Sequence, residues 1–291
     1  MPPTVRQILR ETKIRFDQAH IDSPASTARA VVARALNRSR EWLIARDEET
    51  PTDAAYALLQ QLIERVLSRE PLAYILGQRE FYGLEFAVDA RVLIPRPETE
   101  MLVEAALMRL RGSQDVVDSA VDLIDVGTGS GAVAVAVAVR APTARIVATD
   151  VSADALVVAR QNAQQHDVMD RVRFVLADLL ENVDQKTRVI TANLPYVTEE
   201  EIEALPPEIQ AHEPRVALDG GSDGLALVRR LLRQLDAHLL PGGLAVFEIG
   251  AAQGEAALQA ARALLPEWQI TLQKDLAKLD RMLQVVKPDA A

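Results

Sequence analysis

One stretch constrains this chain more than any other: Val121-Asp122-Leu123-Ile124-Asp125-Val126-Gly127-Thr128-Gly129-Ser130-Gly131. The run Leu123-Ile124 with Val126 is short, apolar and β-favouring, and it ends in a glycine-rich turn. Glycines at three alternate positions let the backbone take dihedrals that a Cβ forbids. The next segment, Ala132-Val133-Ala134-Val135-Ala136-Val137-Ala138-Val139-Arg140, alternates strictly and taken alone suits a strand. Context assigns it to a helix, because a second apolar run, Arg145-Ile146-Val147-Ala148-Thr149, follows and ends at Asp150. Strand, glycine turn, helix, strand is a βαβ unit. The helix N-terminus facing the turn offers free N–H groups and a positive dipole end. An acid about 20 residues or more past the turn suits a pair of ribose hydroxyls.

The turn reads G-x-G-x-G, not the G-x-G-x-x-G of dinucleotide folds. An acid, Asp125, stands two residues before the first glycine. Together these resemble the first motif of class I S-adenosylmethionine-dependent methyltransferases.

Composition narrows the setting. With 291 residues the chain can form one large or two modest domains. Hydrophobic residues make up 49% and charged residues 25%, the balance of a soluble globular protein. There is no cysteine, so a disulfide framework and a thiolate metal site are both excluded. The start, Met1-Pro2-Pro3-Thr4-Val5-Arg6, lacks the apolar core of a signal peptide, and no apolar run reaches a membrane-spanning length. A cytoplasmic location without membrane attachment is expected. The net charge of −10 disfavours non-specific phosphate binding, and a nucleic-acid target is not expected.

Residues 1 to 76 contain no glycine and carry apolar residues at helical spacing. Val5, Ile8, Leu9, Phe16 and Ala19 mark one face. Ala28, Val31, Val32, Ala35 and Leu36 mark a second, and Ala55, Leu58, Leu59, Leu62, Ile63, Val66 and Leu67 a third. Ser23 before Pro24 and Thr50 before Pro51 read as N-caps followed by proline at the first helical position. This predicts a small helical bundle without a catalytic constellation, His20 included. From Pro71 the character changes. Glu80 to Val88 alternates about Gly83 and predicts a hairpin. Pro95-Arg96-Pro97 is stiff and extended, and Thr99 is placed to cap a helix over Met101 to Arg111. The proline segment reads as an interdomain linker that also walls the active site. Residues 112 to 120 read as a polar loop.

Beyond the βαβ unit, Ser152 caps a helix. Val172 to Leu176 predicts a strand leading to Asp178, and Arg188 to Ala192 one leading to Asn193. Ligands of open α/β sheets bind at the carboxyl ends of strands, where Asp150, Asp178 and Asn193 all fall. Thr198 to Gln210 reads as a loop with short helical pieces. Glu213 to Gly224 reads as a long functional connection. A helix from Leu225 to Leu240, a strand from Leu244 to Ile249, a helix from Ala252 to Leu265 and closing strands at Trp268 to Leu272 and Met282 to Val286 complete the chain.

The stretch Asn193-Leu194-Pro195-Tyr196 carries chemistry. An amide nitrogen is a poor nucleophile because its lone pair is delocalised. Reaction at such a nitrogen requires acceptors that hold the NH₂ group and aim the lone pair. The Asn193 side-chain carbonyl can take one N–H and the Leu194 backbone carbonyl the other. Tyr196 adds an aromatic face and a hydroxyl. Pro195 removes a competing donor and biases Leu194 to an extended conformation. No general base is required, because the proton can leave after transfer.

This stretch resembles the N-P-P-Y motif of amino methyltransferases. The segments Ile94-Pro95-Arg96-Pro97-Glu98-Thr99-Glu100, Leu218-Asp219-Gly220-Gly221-Ser222-Asp223-Gly224-Leu225 and Phe247-Glu248-Ile249-Gly250 are similar to those of the peptide chain release factor N5-glutamine methyltransferases. The resemblance implies an α/β fold: a Rossmann-like class I methyltransferase domain, mostly parallel and seven-stranded with helices on both faces, behind a small all-helical domain. It divides the chain into a partner-recognising bundle (1–76), a hairpin and linker (77–100) and a catalytic domain (101–291). It implies S-adenosylmethionine as cofactor, S-adenosylhomocysteine as product, and the glutamine of the Gly-Gly-Gln motif in class I release factors as substrate. It implies that Gly127, Thr128, Gly129, Ser130 and Gly131 hold the methionine part, that Asp150 holds the ribose and that Asp178 and Leu179 flank the adenine. Asn193, Leu194, Pro195 and Tyr196 would bind the substrate amide, with Asn193 also beside the cofactor. A monomer without a metal is expected. Leu194 departs from the family's usual proline, and Leu179 stands where relatives often have an aromatic residue. The alternatives are a glutamine methyltransferase acting on a ribosomal protein and a nucleic-acid amino methyltransferase with the same N-x-P-Y chemistry.

Overall fold

The computed structural model describes residues 2–111 and 121–290, so the loop expected over residues 112 to 120 lies outside the described residues. The chain divides into two compact units, Met1–Gln78 with Pro206–His212, and Arg79–Leu205 with Glu213–Ala291.

The first unit is helical: α1 (Val5–Gln18), α2 (Pro24–Leu36), α3 (Arg40–Ala45), α4 (Asp53–Leu67), α5 (Leu72–Leu76) and, from later in the chain, α10 (Pro207–His212). Its core joins Val5, Ile8, Phe16, Val31, Val32, Leu59 and Ile63, drawn from the three apolar stripes. A capping box starts α1. Thr4 Oγ1 accepts the Gln7 N–H and Gln7 Oε1 accepts that of Thr4. The other two expected caps differ. Ser23 sits at the start of α2 in the left-handed region (φ 49°) and its hydroxyl caps nothing. Thr52, not Thr50, caps α4 and accepts the Ala55 N–H at 3.3 Å. Threonines flank Pro51 on both sides, and the one followed by Asp53 also places an acid in the first turn. The short helix α10 joins this unit through Glu208, which pairs with Arg69 at 3.2 Å.

The second unit begins one residue into β1 (Gln78–Phe81), which forms a hairpin with β2 (Leu84–Ala87), and continues with α6 (Glu100–Arg111). Next come β3 (Val121–Val126), α7 (Ala132–Arg140), β4 (Ile146–Asp150), α8 (Ala153–Gln165), β5 (Val172–Leu176), β6 (Thr187–Ala192) and α9 (Glu199–Ala204). The chain closes with α11 (Ala226–His238), β7 (Leu239–Glu248), α12 (Gly254–Leu264), β8 (Gln269–Lys274) and β9 (Asp280–Val286). Seven strands form one sheet in the order β5-β4-β3-β6-β7-β9-β8. The first four pairings from the β5 edge are parallel; β9 is antiparallel to β7 and to β8. This is the mixed α/β class I methyltransferase architecture.

Burial explains why the alternating Ala-Val segment is a helix. From Ala132 to Ala138 every residue of α7 is buried, so the helix needs no polar face. It packs with Leu102, Val103 and Leu123 on one side of the sheet, while Ile124, Val126, Leu231, Leu235 and Ala257 fill the other. A parallel strand buried on both faces is apolar throughout, as β3 is apart from its acids. Strand β7 starts at Leu239, ahead of the expected Leu244, and runs through Pro241-Gly242-Gly243. A register shift against β6 between Thr187 and Val189 absorbs these turn-forming residues. Among the described residues no helix is long and apolar enough to cross a membrane.

Candidate active site

Register brings the strand ends together. Val126 of β3 pairs with Thr149 of β4 and with Ala192 of β6, so Gly127, Asp150 and Asn193 emerge side by side. Beneath them Asp125 is buried. Thr128 Oγ1 donates to its Oδ2 and Thr191 Oγ1 to its Oδ1, both at 2.7 Å. Burial pushes the Asp125 carboxyl up to about 6, against the pull of these hydroxyls and of the Ala134 N–H. Sequence reading marked Asp125 by its place before the glycines but gave no sign of Thr191.

The glycine turn is held by its neighbours. The Thr128 N–H donates to the Thr149 carbonyl at 2.8 Å. The Asp150 carboxylate accepts the Gly129 N–H (2.8 Å) on one oxygen and that of Ser152 (2.9 Å) on the other. Burial pushes Asp150 upward, and these backbone donors oppose it. Fully buried Asn162 of α8 donates to the carbonyls of Ser130 and Ala87 and accepts the Ala87 N–H, tying the turn to the hairpin strand β2. Gly127 has φ 70°, and a Cβ there would stand 3.1 Å from Leu194 Cδ2. The buried Leu194 therefore packs closely on a turn whose left-handed φ favours glycine.

A cavity of about 610 Å³ opens over these strand ends, within the usual range for small-ligand sites of about 300–1,000 Å³. Gly127, Thr128, Gly129, Ser130, Asp150, Asp178, Leu179, Asn193, Leu194 and Pro195 all line it. Gly131 and Tyr196 do not. The proline segment contributes Pro95 and Thr99 to the lining. Asp178 is paired with Arg230 of α11 at 2.8 Å, and Leu179 is buried with φ 57°.

Behind Asn193 lies a polar cluster that the sequence did not announce. Asn193 Nδ2 donates to Thr99 Oγ1 at 3.0 Å, and Thr99 Oγ1 donates to Glu248 Oε2 at 2.6 Å. The Tyr196 hydroxyl donates to Glu248 Oε1 at 3.4 Å. Thr99 thus serves this cluster and caps no helix. Burial raises the Glu248 carboxyl, with Thr99, Arg281 and Tyr196 pulling it down; burial and the charge of Glu248 raise the Tyr196 phenol. The one available signal was an acid inside the apolar run Leu244 to Ile249.

The long connection after α10 backs this motif. The Gly220 N–H donates to the Val197 carbonyl at 2.8 Å, and a Cβ on Gly220 would meet Pro195 O and Tyr196 Cα at 2.7 Å. Gln253 Nε2 donates to the Tyr196 carbonyl at 2.8 Å. Glu213, buried, accepts from Arg96 at 2.5 Å and from the Ile94 N–H at 3.4 Å, joining this connection to the proline segment. Among the described residues nothing donates to Asn193 Oδ1 or to the Leu194 carbonyl. Two acceptors thus remain unclaimed where the strand ends meet the cavity.

Comparison with known proteins agrees with this architecture. Residues 7–77 match the PrmC N-terminal domain family and residues 109–205 the methyltransferase small domain family. A methyltransferase structure from Pyrococcus furiosus superimposes with a TM-score of 0.51, covering 77% of this chain and 97% of that one; at 18% identity this likeness concerns the fold alone. A bifunctional methyltransferase of Rickettsia felis is 34% identical over 89% of this chain, which spans only 54% of that protein. A release factor glutamine methyltransferase of Moorella thermoacetica is 40% identical, covering 90% of each chain. On that extent of likeness, the chain belongs to the release factor glutamine methyltransferase family.

Proposed function

We propose that this chain transfers the methyl group of S-adenosylmethionine to the side-chain amide nitrogen (N5) of the glutamine in the Gly-Gly-Gln motif of class I release factors. The observation that carries the reading is the unclaimed pair of acceptors, Asn193 Oδ1 and the Leu194 carbonyl, beside a glycine-turn cavity. The cavity suits the cofactor. A Cβ at Gly129 would project into open space, Asp150 keeps lone pairs free on both oxygens for ribose hydroxyls, and Asp178 and Leu179 close the adenine end.

When bound, S-adenosylmethionine supplies an electrophilic methyl group on a sulfonium. The chain's own work is positioning. Asn193 Oδ1 and the Leu194 carbonyl take the two N–H groups of the glutamine amide, which orients its nitrogen lone pair. With the amide so held, the cofactor would supply its methyl group to the nitrogen as its C–S bond broke, the amide proton would go to solvent, and S-adenosylhomocysteine would be the leaving group. Pro195 and Tyr196 hold the shape of the motif, Tyr196 from behind through Glu248. The enzyme acts as a cytoplasmic monomer on protein, not nucleic acid, in keeping with a net charge of −10.

Asp125 gives a test of the cofactor half. Its folded-state pKa of about 6 lies above its ordinary 3.8, so the folded chain binds more protons than the unfolded one between these values. Stability attached to this group is fully present below about pH 4 and lost as pH rises through about 6. Asp125→Asn removes the buried charge. It is expected to raise the melting temperature at pH 8 by a gain on the order of 2 kcal/mol and to raise nothing at pH 4. The same change is expected to weaken S-adenosylmethionine binding about 10-fold by calorimetry, because the anion beneath the turn attracts the cofactor's cationic groups. Unchanged cofactor affinity would remove Asp125 from the binding site.

The helical unit is assigned to docking the release factor, because it carries no site residue and exposes Ile44 on α3 (75% exposed). Ile44→Glu is expected to weaken release-factor binding about 5-fold, measured by fluorescence anisotropy, with cofactor affinity intact. Unchanged partner affinity would move the docking face elsewhere.

A further inference from the structure

We propose that Thr99 and Glu248 are positioning residues that fix which way the Asn193 amide faces; this rests on the amide-holding role of Asn193 proposed above. The argument is one of proton counting. Glu248 faces a hydroxyl donor on each oxygen and the positive charge of Arg281, all of which favour its ionised form, and a carboxylate only accepts hydrogen bonds. The Thr99 hydroxyl has a single proton, and at 2.6 Å from Glu248 Oε2 that proton is committed. Thr99 Oγ1 therefore meets Asn193 with lone pairs only, and at 3.0 Å it takes the amide NH₂. Turning the Asn193 amide over would set two acceptors against each other at that distance. The carbonyl Oδ1 is thereby left pointing away from Thr99, as an acceptor for a substrate N–H.

The parts come from three distant places in the chain, and sheet register gathers two of them. Ala192 pairs with Phe247, so the next residues, Asn193 and Glu248, leave adjacent strands side by side. Thr99 enters from the proline segment and is buried between them. Tyr196 claims the other Glu248 oxygen, so the carboxylate is held from both sides. An isolated asparagine would have two amide orientations of similar energy. In the wrong one an NH₂ group would face the NH₂ of the glutamine.

The test uses the full chain with an intact release factor, following kcat, KM and cofactor affinity. Thr99→Val keeps the shape and removes the hydroxyl. It is expected to lower kcat about 10- to 100-fold, with KM for the release factor and calorimetric cofactor Kd each within about 3-fold. Thr99→Ser is expected to recover most of the lost rate. Glu248→Gln, which can donate to Thr99 and free its proton, is expected to lower kcat in the same way. A Thr99→Val enzyme with kcat within about 3-fold of the parent would overturn the proposal. So would a Thr99→Ser enzyme as slow as Thr99→Val, or a fall in cofactor affinity that matches the fall in kcat. Asn193→Ala separates this proposal from the reading beneath it. If that variant is inactive while Thr99→Val is active, only the positioning role fails; if it is as active as the parent, the amide-holding role fails as well.

Discussion

Replacing Asn193 by alanine is expected to lower methyl transfer at least about 10³-fold while cofactor affinity stays within about 2-fold. The size follows from what the side chain does. Its Oδ1 is a preorganised acceptor, already oriented by Thr99 and, among the described residues, without a donor of its own. Removing one such polar partner from a desolvated site typically costs about 10²–10³ in rate. Here the amide would also lose its alignment, because only the Leu194 carbonyl would remain to hold it. The split between kcat and cofactor Kd is the informative part. Asn193 lines the cavity, but the carboxylate of Asp150 and the glycine turn lie on neighbouring strand ends and keep their own hydrogen bonds. Single-turnover rates with saturating cofactor would measure this. An Asn193→Ala enzyme that methylates within about 10-fold of the parent would remove Asn193 from the amide-holding role.

The largest effect on stability is expected at Arg96. Its guanidinium reaches Glu213 Oε1 at 2.5 Å, and the Glu213 side chain is 1% exposed. Arg96 itself is 31% exposed, so its own desolvation is modest, and the asymmetry decides the outcome. Among the described residues, Arg96→Ala leaves the buried carboxylate with the Ile94 N–H, at 3.4 Å, as its one remaining donor. Breaking one side of a buried pair costs about 3–5 kcal/mol, and solvent access at Arg96 places this case near the lower figure. At about 2–4 °C per kcal/mol the melting temperature should fall by roughly 6–12 °C. Removing both charges with Arg96→Met and Glu213→Leu should recover most of that loss, because the penalty comes from the orphaned charge rather than from a missing attraction. A shift under about 2 °C in the single variant would show that water or a rearranged donor already satisfies Glu213.

These two residues also show which parts of the site a sequence displays. Asn193 stands out because its neighbours in the chain define it: a strand before it and a proline and an aromatic residue after it. Asp150 and Asp178 stand out for the same reason, each at or just past the end of an apolar run. The glycine turn announces a βαβ unit because its constraint is local and acts on the backbone. Thr99 and Glu248 have no such local mark. Thr99 lies 94 positions from Asn193, and Glu248 lies 149 positions from Thr99, so only sheet register reveals that they meet. Local reasoning gave the Thr99 hydroxyl the nearest available task, a helix cap, while the fold gives it a buried carboxylate. The same limit explains Thr52 against Thr50, two equivalent hydroxyls about one proline. It also explains α10, a short segment from much later in the chain that clusters with the helical unit. Gly220 is a middle case. Its glycine-rich context marks a turn, but the close approach of Pro195 and Tyr196 that requires glycine there is a long-range fact.

The central claim is the identity of the methylated atom, and one measurement addresses it most directly. Purified enzyme would be incubated with S-adenosylmethionine and an unmethylated class I release factor, and the peptide holding the Gly-Gly-Gln motif read by tandem mass spectrometry. The account predicts a gain of one methyl group, located on the glutamine side chain and absent with Asn193→Ala. An unmodified glutamine under conditions where calorimetry shows the cofactor bound, or a methyl group on any other residue, would contradict it.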